Sequence, residues 1–569
     1  MAGHARPARS GAAHVIVSSG GVANRSAPSD ALTTIAGVPS DSTHVPEPPE
    51  ETRGDPPPRY GWHPQEDLLS FGSPERSREA LERLGRGAWD TALDYLFDEA
   101  MRRPVGPDSY PDLRREYFGP TAAPGPAPEG PTTFQEILDE FRLRLAPHML
   151  NAHHPRALPY FTPPALPISI AGELLAQWTN QGVDLWQCSP VATLVEEEVI
   201  GWLCDLVGYG DGSFGVLTSG GAMANLMALT VAREVHLPGL LGRDGPPRGA
   251  DLERARVYTS DQTHFSVGRA LDLLGFPNQT LRVLPSDERF RLRAEPVAEA
   301  VDDDRRAGFV PFAVSAVTGS TNTGSVDAVA ELAEVATREG MWLHVDAAYG
   351  GAVRLSEREC GRVGGLELAD TITLDPHKWF FQPHDIGGLL VRRREHLARA
   401  FHGSPEYYRS AHSEGEPFDW YRYSIEGTRR FRALKLWFSW KFLGTEGFGR
   451  LIEHTLDLAK HMAERCRQSD DLEALPEEPE LSVVCLRHLP RGRERAAALD
   501  PSVLDHYQDR LQRALGVSGE GWLSTTRLRG RTYLRAGIVN YLTTREDIDA
   551  LLATLRRLSP AAARDARIL

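Results

Sequence analysis

Lysine is nearly missing from this chain: of 63 basic residues only Lys378, Lys435, Lys441 and Lys460 are lysine, and the rest are arginine. A chain that fills its cationic positions with guanidinium keeps an amine where guanidinium cannot serve, or keeps it by chance. Only the amine loses its proton readily enough to attack a carbonyl. Cysteine is also scarce. The five residues Cys188, Cys204, Cys360, Cys466 and Cys485 form no CxxC pair and no metal-ligand spacing. That argues against a disulfide framework and a zinc finger, and for a reducing compartment, with no metal expected. No apolar run approaches the roughly 18 residues that span a bilayer, so no membrane partner is expected. A net charge of −15 gives no basic footprint for a nucleic acid.

At about 150 residues per unit, 569 residues imply three to four structural units. Residues 1–60 hold nine prolines, no Phe or Trp, and one tyrosine, Tyr60. Such a segment buries too little apolar surface to offset its ordering entropy, so a disordered leader is expected. Its apolar stretch around Val15 to Val17 is too short for a secretory signal, and Asp30, Asp41, Glu47, Glu50 and Glu51 argue against a transit peptide. The expected location is cytoplasmic.

Residues 61–155 read as an N-terminal helical arm. Leu81, Leu84, Trp89, Leu93 and Leu96 recur at spacings near three and four, and a second stretch carries Phe134, Ile137, Leu138 and Phe141 on one face. A Pro/Gly-rich linker, 119–131, separates them. Residues 156–428 alternate strand-like segments (214–218, 257–260, 312–317, 342–346, 371–374, 387–391) with helix-like ones (194–207, 222–235, 326–338). Alternation of this kind predicts an α/β fold with a mostly parallel sheet covered on both faces. Residues 429–569 open with a long helical pattern, then show strands at 481–486 and 533–538 and a helix at 545–558, a smaller C-terminal α+β domain.

Ligands of parallel sheets sit beyond the carboxyl ends of the strands, so chemistry is sought just after each strand. After 214–218 come Ser219, Gly220, Gly221, Ala222, Met223, Ala224 and Asn225, small residues opening a helix, a phosphate cradle or a plain tight turn. The apolar strand 342–346 ends in Asp346, which can accept from a protonated ring nitrogen such as pyridoxal phosphate presents, or can cap a turn. After 371–374 come Asp375, Pro376, His377, Lys378 and Trp379. Burial of Lys378 among aromatics would favour its neutral, nucleophilic amine. Lys435, Lys441 and Lys460 fall in helical patterns and read as snorkelling surface residues. His264, after 257–260, could stack on a planar cofactor or aid proton transfer, or be one more surface histidine.

Taken in order, these stretches resemble the pyridoxal-phosphate-dependent group II amino-acid decarboxylases, the family of the aromatic-amino-acid and glutamate decarboxylases. The motifs that carry the resemblance are Asp375 to Trp379, His344 to Gly351, Ser260 to His264, and Thr428 to Trp437, across roughly residues 75–560. The resemblance implies a fold-type I large domain and a homodimer with shared active sites. It implies Gly221 and Ala222 on the phosphate with Thr371 and His377 nearby, His264 over the ring, Asp346 at its nitrogen, and Lys378 as the lysine that carries the cofactor. Ala222 and Val317 depart from the family, where a serine and a polar residue are frequent.

The implied reaction is decarboxylation of an L-amino acid to its amine. Alternatives are a decarboxylating aldehyde synthase of the same family and a non-catalytic cofactor-binding protein. Tyr160, Phe161 and Trp186 are the expected substrate-pocket residues, suiting an aromatic or a branched aliphatic (valine- or leucine-like) side chain. Asp184 would favour a cationic one unless it is structural. Residues 412–423, polar and containing Gly415 and Pro417, read as a mobile lid. The family's lid tyrosine, which protonates the alpha carbon, falls on Trp420 when counted back from Arg429 and on Tyr421 when the Tyr-Arg pair is matched; Tyr421 is the choice, and so the amine is the expected product.

Overall fold

Unbroken apolar runs in the sequence become strands buried on both faces. The computed structural model describes residues 74–97, 109–121, 123–401, 403, 418–566 and 568. The expected leader, 1–60, and the first part of the expected lid, 412–417, lie outside the described residues.

The central sheet has seven strands: β1 (Phe214–Thr218), β2 (Ala255–Ser260), β3 (Leu281–Leu284), β4 (Val310–Val317), β5 (Trp342–Asp346), β6 (Thr371–Leu374) and β7 (Gly387–Val391). They lie in the order β3-β2-β4-β5-β6-β7-β1. From β3 to β6 all neighbours are parallel, and β7 runs antiparallel to both β6 and β1. Six strands therefore point one way and bring their carboxyl ends to one edge. The loops that follow β1, β2, β4, β5 and β6 meet there.

A second sheet, β8 (Leu472–Ala474), β9 (Val483–His488), β10 (Ser524–Leu528) and β11 (Arg531–Gly537), is antiparallel in the order β10-β11-β9-β8. Its apolar side chains share a separate core with Leu511 and Leu515 of the helix Pro501–Ser518 and Leu551 and Leu555 of the helix Arg545–Asp565. The long helix Ala433–Arg467 breaks its helical geometry at Gly444, where φ is 63°. It packs closely on the helix Pro167–Thr179: a Cβ at Gly172 would stand 2.9 Å from the Lys435 Cα, so only glycine allows the approach.

Several expectations shift. β3 is an edge strand with an exposed Val283 and an Arg among its four residues, too short and too polar to read as a strand. The helix expected from 326 starts at Val329. Asp327 is held back from it, because its buried carboxylate accepts the backbone N–H groups of Leu292 and Val317, both at 2.7 Å. In the arm, helices form at Pro74–Phe97, Tyr110–Phe118 and Phe134–Glu140, the last opened by a capping box between Thr133 and Glu136.

Candidate functional site

At the carboxyl edge of the central sheet lies a cavity of about 350 Å³. Phe161, Gly221, Ala222, His264, Asp346, His377 and Lys378 line it, as do Ser219, Gly220, Asn225 and Asp375. Apart from Phe161 they come from the ends of four strands, β1, β2, β5 and β6, which explains why residues so far apart in sequence meet.

The small residues after β1 open the helix Gly221–Val231, and no side chain caps its N-terminus. Its first N–H groups and its dipole are therefore available to an anion. The backbone here is closely packed. A Cβ on Gly221 would fall 2.8 Å from Asp375 Oδ2, and one on Gly387 would fall 2.5 Å from the Gly220 Cα. Glycine is required on both sides of the cradle.

Asp346 is buried, and its Oδ1 accepts the N–H of Ala348 at 3.1 Å. Its Oδ2 accepts from the Asn225 amide at 2.8 Å. Asn225 had no assigned role in the sequence, since its partner lies 121 residues away. The only signal was its position one helical turn after Gly221. Behind Asp346, burial pushes the His344 imidazole down to about 4, so this ring is neutral. Burial also lowers the pKa of His264, whose Nδ1 lies 2.7 Å from Ser266 Oγ.

Lys378 sits beside a carboxylate that sequence reasoning left without a role. Its Nζ is 3.0 Å from Asp375 Oδ2, and the His377 Nε2 is 3.7 Å from the same oxygen. Asp375 Oδ1 is buried without a hydrogen-bond partner. The lysine side chain keeps 23% exposure, so the expected burial among aromatics is not what distinguishes it. Full burial belongs instead to Lys435, expected at the surface. Its Nζ donates to the carbonyls of Pro383 and Asp385 at 2.9 and 3.1 Å and lies 3.0 Å from Glu173. The helix Pro167–Thr179 packs directly against this part of the long helix, with Gly172 at the closest approach.

Other expected site residues stand apart from the cavity. Thr371 is buried at the start of β6, its hydroxyl bonded to Trp342 Nε1 and His344 Nδ1. Tyr160 is exposed and meets Trp522 edge to face. Trp186 is half-buried, its backbone N–H donating to Asp419 Oδ1. Asp184 is half-buried and its carbonyl accepts the Tyr421 N–H at 3.3 Å. Phe161 does line the cavity. Its ring stacks on Tyr349 at 4.0 Å, which stacks on Trp379 at 4.6 Å. The buried Arg535 guanidinium lies 4.7 Å over the outer face of Phe161.

The described part of the expected lid is not a loose loop. Trp420 is fully buried and stacked on Phe214 at 5.3 Å, with Phe418 and Tyr423 packed around it and Arg394 over Phe418 and Tyr423. Trp420 belongs to the core, with Phe418 and Tyr423 packed against it. Tyr421 is half-buried outside the cavity wall.

The arrangement offers an anion cradle, a carboxylate for a ring nitrogen, an imidazole and an amine for a carbonyl carbon. These are the contacts that pyridoxal phosphate needs. Comparison with known proteins agrees. The family model described as the pyridoxal-dependent decarboxylase conserved domain matches residues 119–489. The chain is 32% identical over 485 residues to an aromatic-L-amino-acid decarboxylase of Bacillus atrophaeus, covering 85% of this chain and 96% of the relative. It is 34% identical over 386 residues to an L-2,4-diaminobutyrate decarboxylase of Acinetobacter baumannii, covering 65% and 75%. Among solved structures, Oryza sativa TDC with PLP and tryptamine superposes with a TM-score of 0.77 at 27% identity, covering 85% of this chain and 98% of that one. The branched aliphatic substrate expected beside an aromatic one has no counterpart in these relatives.

Proposed function

We infer that this chain, which belongs to the pyridoxal-phosphate-dependent amino-acid decarboxylases, takes an aromatic L-amino acid and releases carbon dioxide and the corresponding amine. The observation that carries this reading is the single cavity in which Asp346, His264, Lys378 and the uncapped helix N-terminus meet. Its aromatic wall of Phe161 and Tyr349 supports an aromatic substrate. Asp184, which would favour a cationic substrate, is not part of that wall.

In this proposal the backbone at Gly221 and Ala222 holds the phosphate, with His377 beside it. Lys378 supplies the amine for the aldehyde carbon, His264 lies against the ring, and Asp346 faces the ring nitrogen. Bound pyridoxal phosphate supplies an electron sink for the pair left when carbon dioxide departs. Asp346, fixed by Asn225 and the Ala348 N–H, holds a proton at the ring nitrogen, an interaction that strengthens as charge develops. Thr371 acts from behind, through His344, rather than on the phosphate. A proton donor from residues 418–423, Tyr421 in the sequence reading, would have to reach the cavity from outside its wall.

We assign residues 156–428 to the cofactor domain, 429–569 to the small domain and 61–155 to an arm. The exposed Leu174, Leu175 and Trp178, with Phe265 next to His264, support a homodimer in which a second copy covers these side chains. Free thiols at all five cysteines fit a cytoplasmic location, and no described helix is long and apolar enough to cross a membrane.

The test is a screen of the common L-amino acids with purified, cofactor-loaded protein, reading carbon dioxide, amine and aldehyde separately. Aromatic substrates giving amine are expected. Aldehyde with ammonia and peroxide would move the chain to the aldehyde synthases, and diaminobutyrate as the preferred substrate would overturn the aromatic assignment.

A further inference from the structure

Asn225 sits on the inner face of the helix whose N-terminus forms the phosphate cradle, and it is almost fully buried. Its amide nitrogen donates to Asp346 Oδ2 at 2.8 Å and to Ser266 Oγ at 2.9 Å. Its amide oxygen accepts from Thr373 Oγ1 at 2.7 Å and lies 3.1 Å from His344 Nε2. Two donors and two acceptor positions are the full capacity of an asparagine side chain, and all four are used.

The direction of each bond follows from the ends of the chain. The Trp342 indole N–H can only donate, and it does so to Thr371 Oγ1 at 3.1 Å. The Thr371 hydroxyl proton then goes to His344 Nδ1, 3.0 Å away. His344 is neutral and so carries its one proton on Nε2, where it is donated to the Asn225 oxygen. A flipped amide would set that oxygen against the Asp346 carboxylate, so the orientation is fixed. On the other arm, the Ser266 backbone N–H points at His264 Nδ1 from 3.4 Å, and the Ser266 hydroxyl lies 2.7 Å from the same nitrogen. Nδ1 is thus the acceptor, and His264 carries its proton on Nε2.

We propose that Asn225 is a positioning residue: one amide locks Asp346 and, through Ser266, His264, so that the carboxylate for the ring nitrogen and the imidazole for the ring face are held in register. This rests on the decarboxylase reading above. Asn225 lines the cavity, but in this role it acts through Asp346 and His264 rather than on the reacting atoms. Its effect is to fix two groups whose placement matters at the level of an ångström.

Asn225→Asp keeps the shape and the acceptor side but removes both donors and sets a carboxylate against Asp346. The expected holoenzyme binds pyridoxal phosphate but loses about 100-fold in kcat with KM within about threefold, and the absorption spectrum of its bound cofactor differs from wild type. A residue that only fills space would leave that spectrum unchanged. Thr373→Val, isosteric and on the acceptor side, is expected to give a weaker version, about 10-fold in kcat, and covers the case in which Asn225→Asp does not fold. Wild-type kcat and spectrum in whichever variants fold would overturn the proposal. Failure of wild type to bind the cofactor or release carbon dioxide would instead remove the functional reading on which it rests.

Discussion

Lys435, in the long helix, is entirely buried, whereas Lys378, after β6, keeps part of its side chain open to the cavity. Burial pushes the Lys435 ammonium down to about 7, with Arg430 and Arg432 adding to the push and Asp385 opposing it. By burial alone Lys435 is the better nucleophile. Yet two carbonyls and Glu173 surround its Nζ, and it does not line the cavity that holds Lys378. Lys378 has a carboxylate on one side and the space for a ligand on the other. A lowered pKa therefore marks a reactive amine only where a substrate can reach it, and otherwise marks the cost of a structural charge.

The largest expected effect would break this comparison if it failed. Lys378→Arg keeps the charge and the pairing with Asp375 but cannot add to an aldehyde. Turnover should vanish, and the visible band of the bound cofactor should be lost, while thermal stability of the cofactor-free protein changes little. Near-normal carbon dioxide release from this variant would sink the assignment of the whole cavity.

Asp346→Asn comes next. It retains shape and the Ala348 contact but no longer carries the charge that holds a proton on a ring nitrogen. A fall of about 100- to 1,000-fold in kcat is expected, with folding intact. Full activity restored by saturating cofactor would reduce Asp346 to a binding group.

Lys435→Met tests the other side of the comparison. Loss of the amine leaves the Pro383 and Asp385 carbonyls without their donor and weakens the balance around Glu173, at a cost of about 3 kcal/mol. Turnover per folded holoenzyme should stay within about threefold. The pH dependence has a definite sign. The folded chain binds fewer protons at Lys435 than the unfolded chain between about pH 7 and the ordinary lysine value of 10.5, so this group makes stability rise with pH across that window and is least favourable below it. Denaturation midpoints of wild type and variant should separate further, in favour of wild type, as pH rises from 7 to 10. A constant gap would mean that Lys435 keeps an ordinary pKa.

The same contrast marks what a sequence reveals. That Lys378, Asp346, His264 and the Gly221 cradle would meet at one place was legible because each follows an apolar run, and parallel strands bring such positions to one edge. Asn225 and Asp375 stood inside the same motifs, but their roles depend on partners brought in by folding, and an uncharged amide gives no sign of which carboxylate it will meet. Lys435 was misread for a related reason. The approach permitted by Gly172 sets a helix more than 250 residues earlier in the chain against it. Residues 412–423 read as a mobile lid from their polarity and from Gly415 and Pro417; in the described part, Phe214 and Arg394, outside that segment, gather Trp420 and Tyr423 into the core.

The smallest expected effect concerns that stretch. Trp420 is packed against Phe214 and lies 5.1 Å beneath the Arg429 guanidinium, so truncating it to alanine should cost about 3–5 kcal/mol as a core deletion. Tyr421, its neighbour, carries the hydroxyl that could protonate a carbon, but its backbone is tied to Asp184 and its side chain lies outside the cavity wall. Tyr421→Phe should therefore leave stability unchanged, the rate within about twofold and the ratio of amine to aldehyde as in wild type. If aldehyde, ammonia and peroxide rise instead, the tyrosine reaches the substrate during turnover. Residues 418–423 would then have to leave the packing around Phe214, and the line drawn here between buried structural aromatics and accessible catalytic groups would hold for Trp420 but not for the residue beside it.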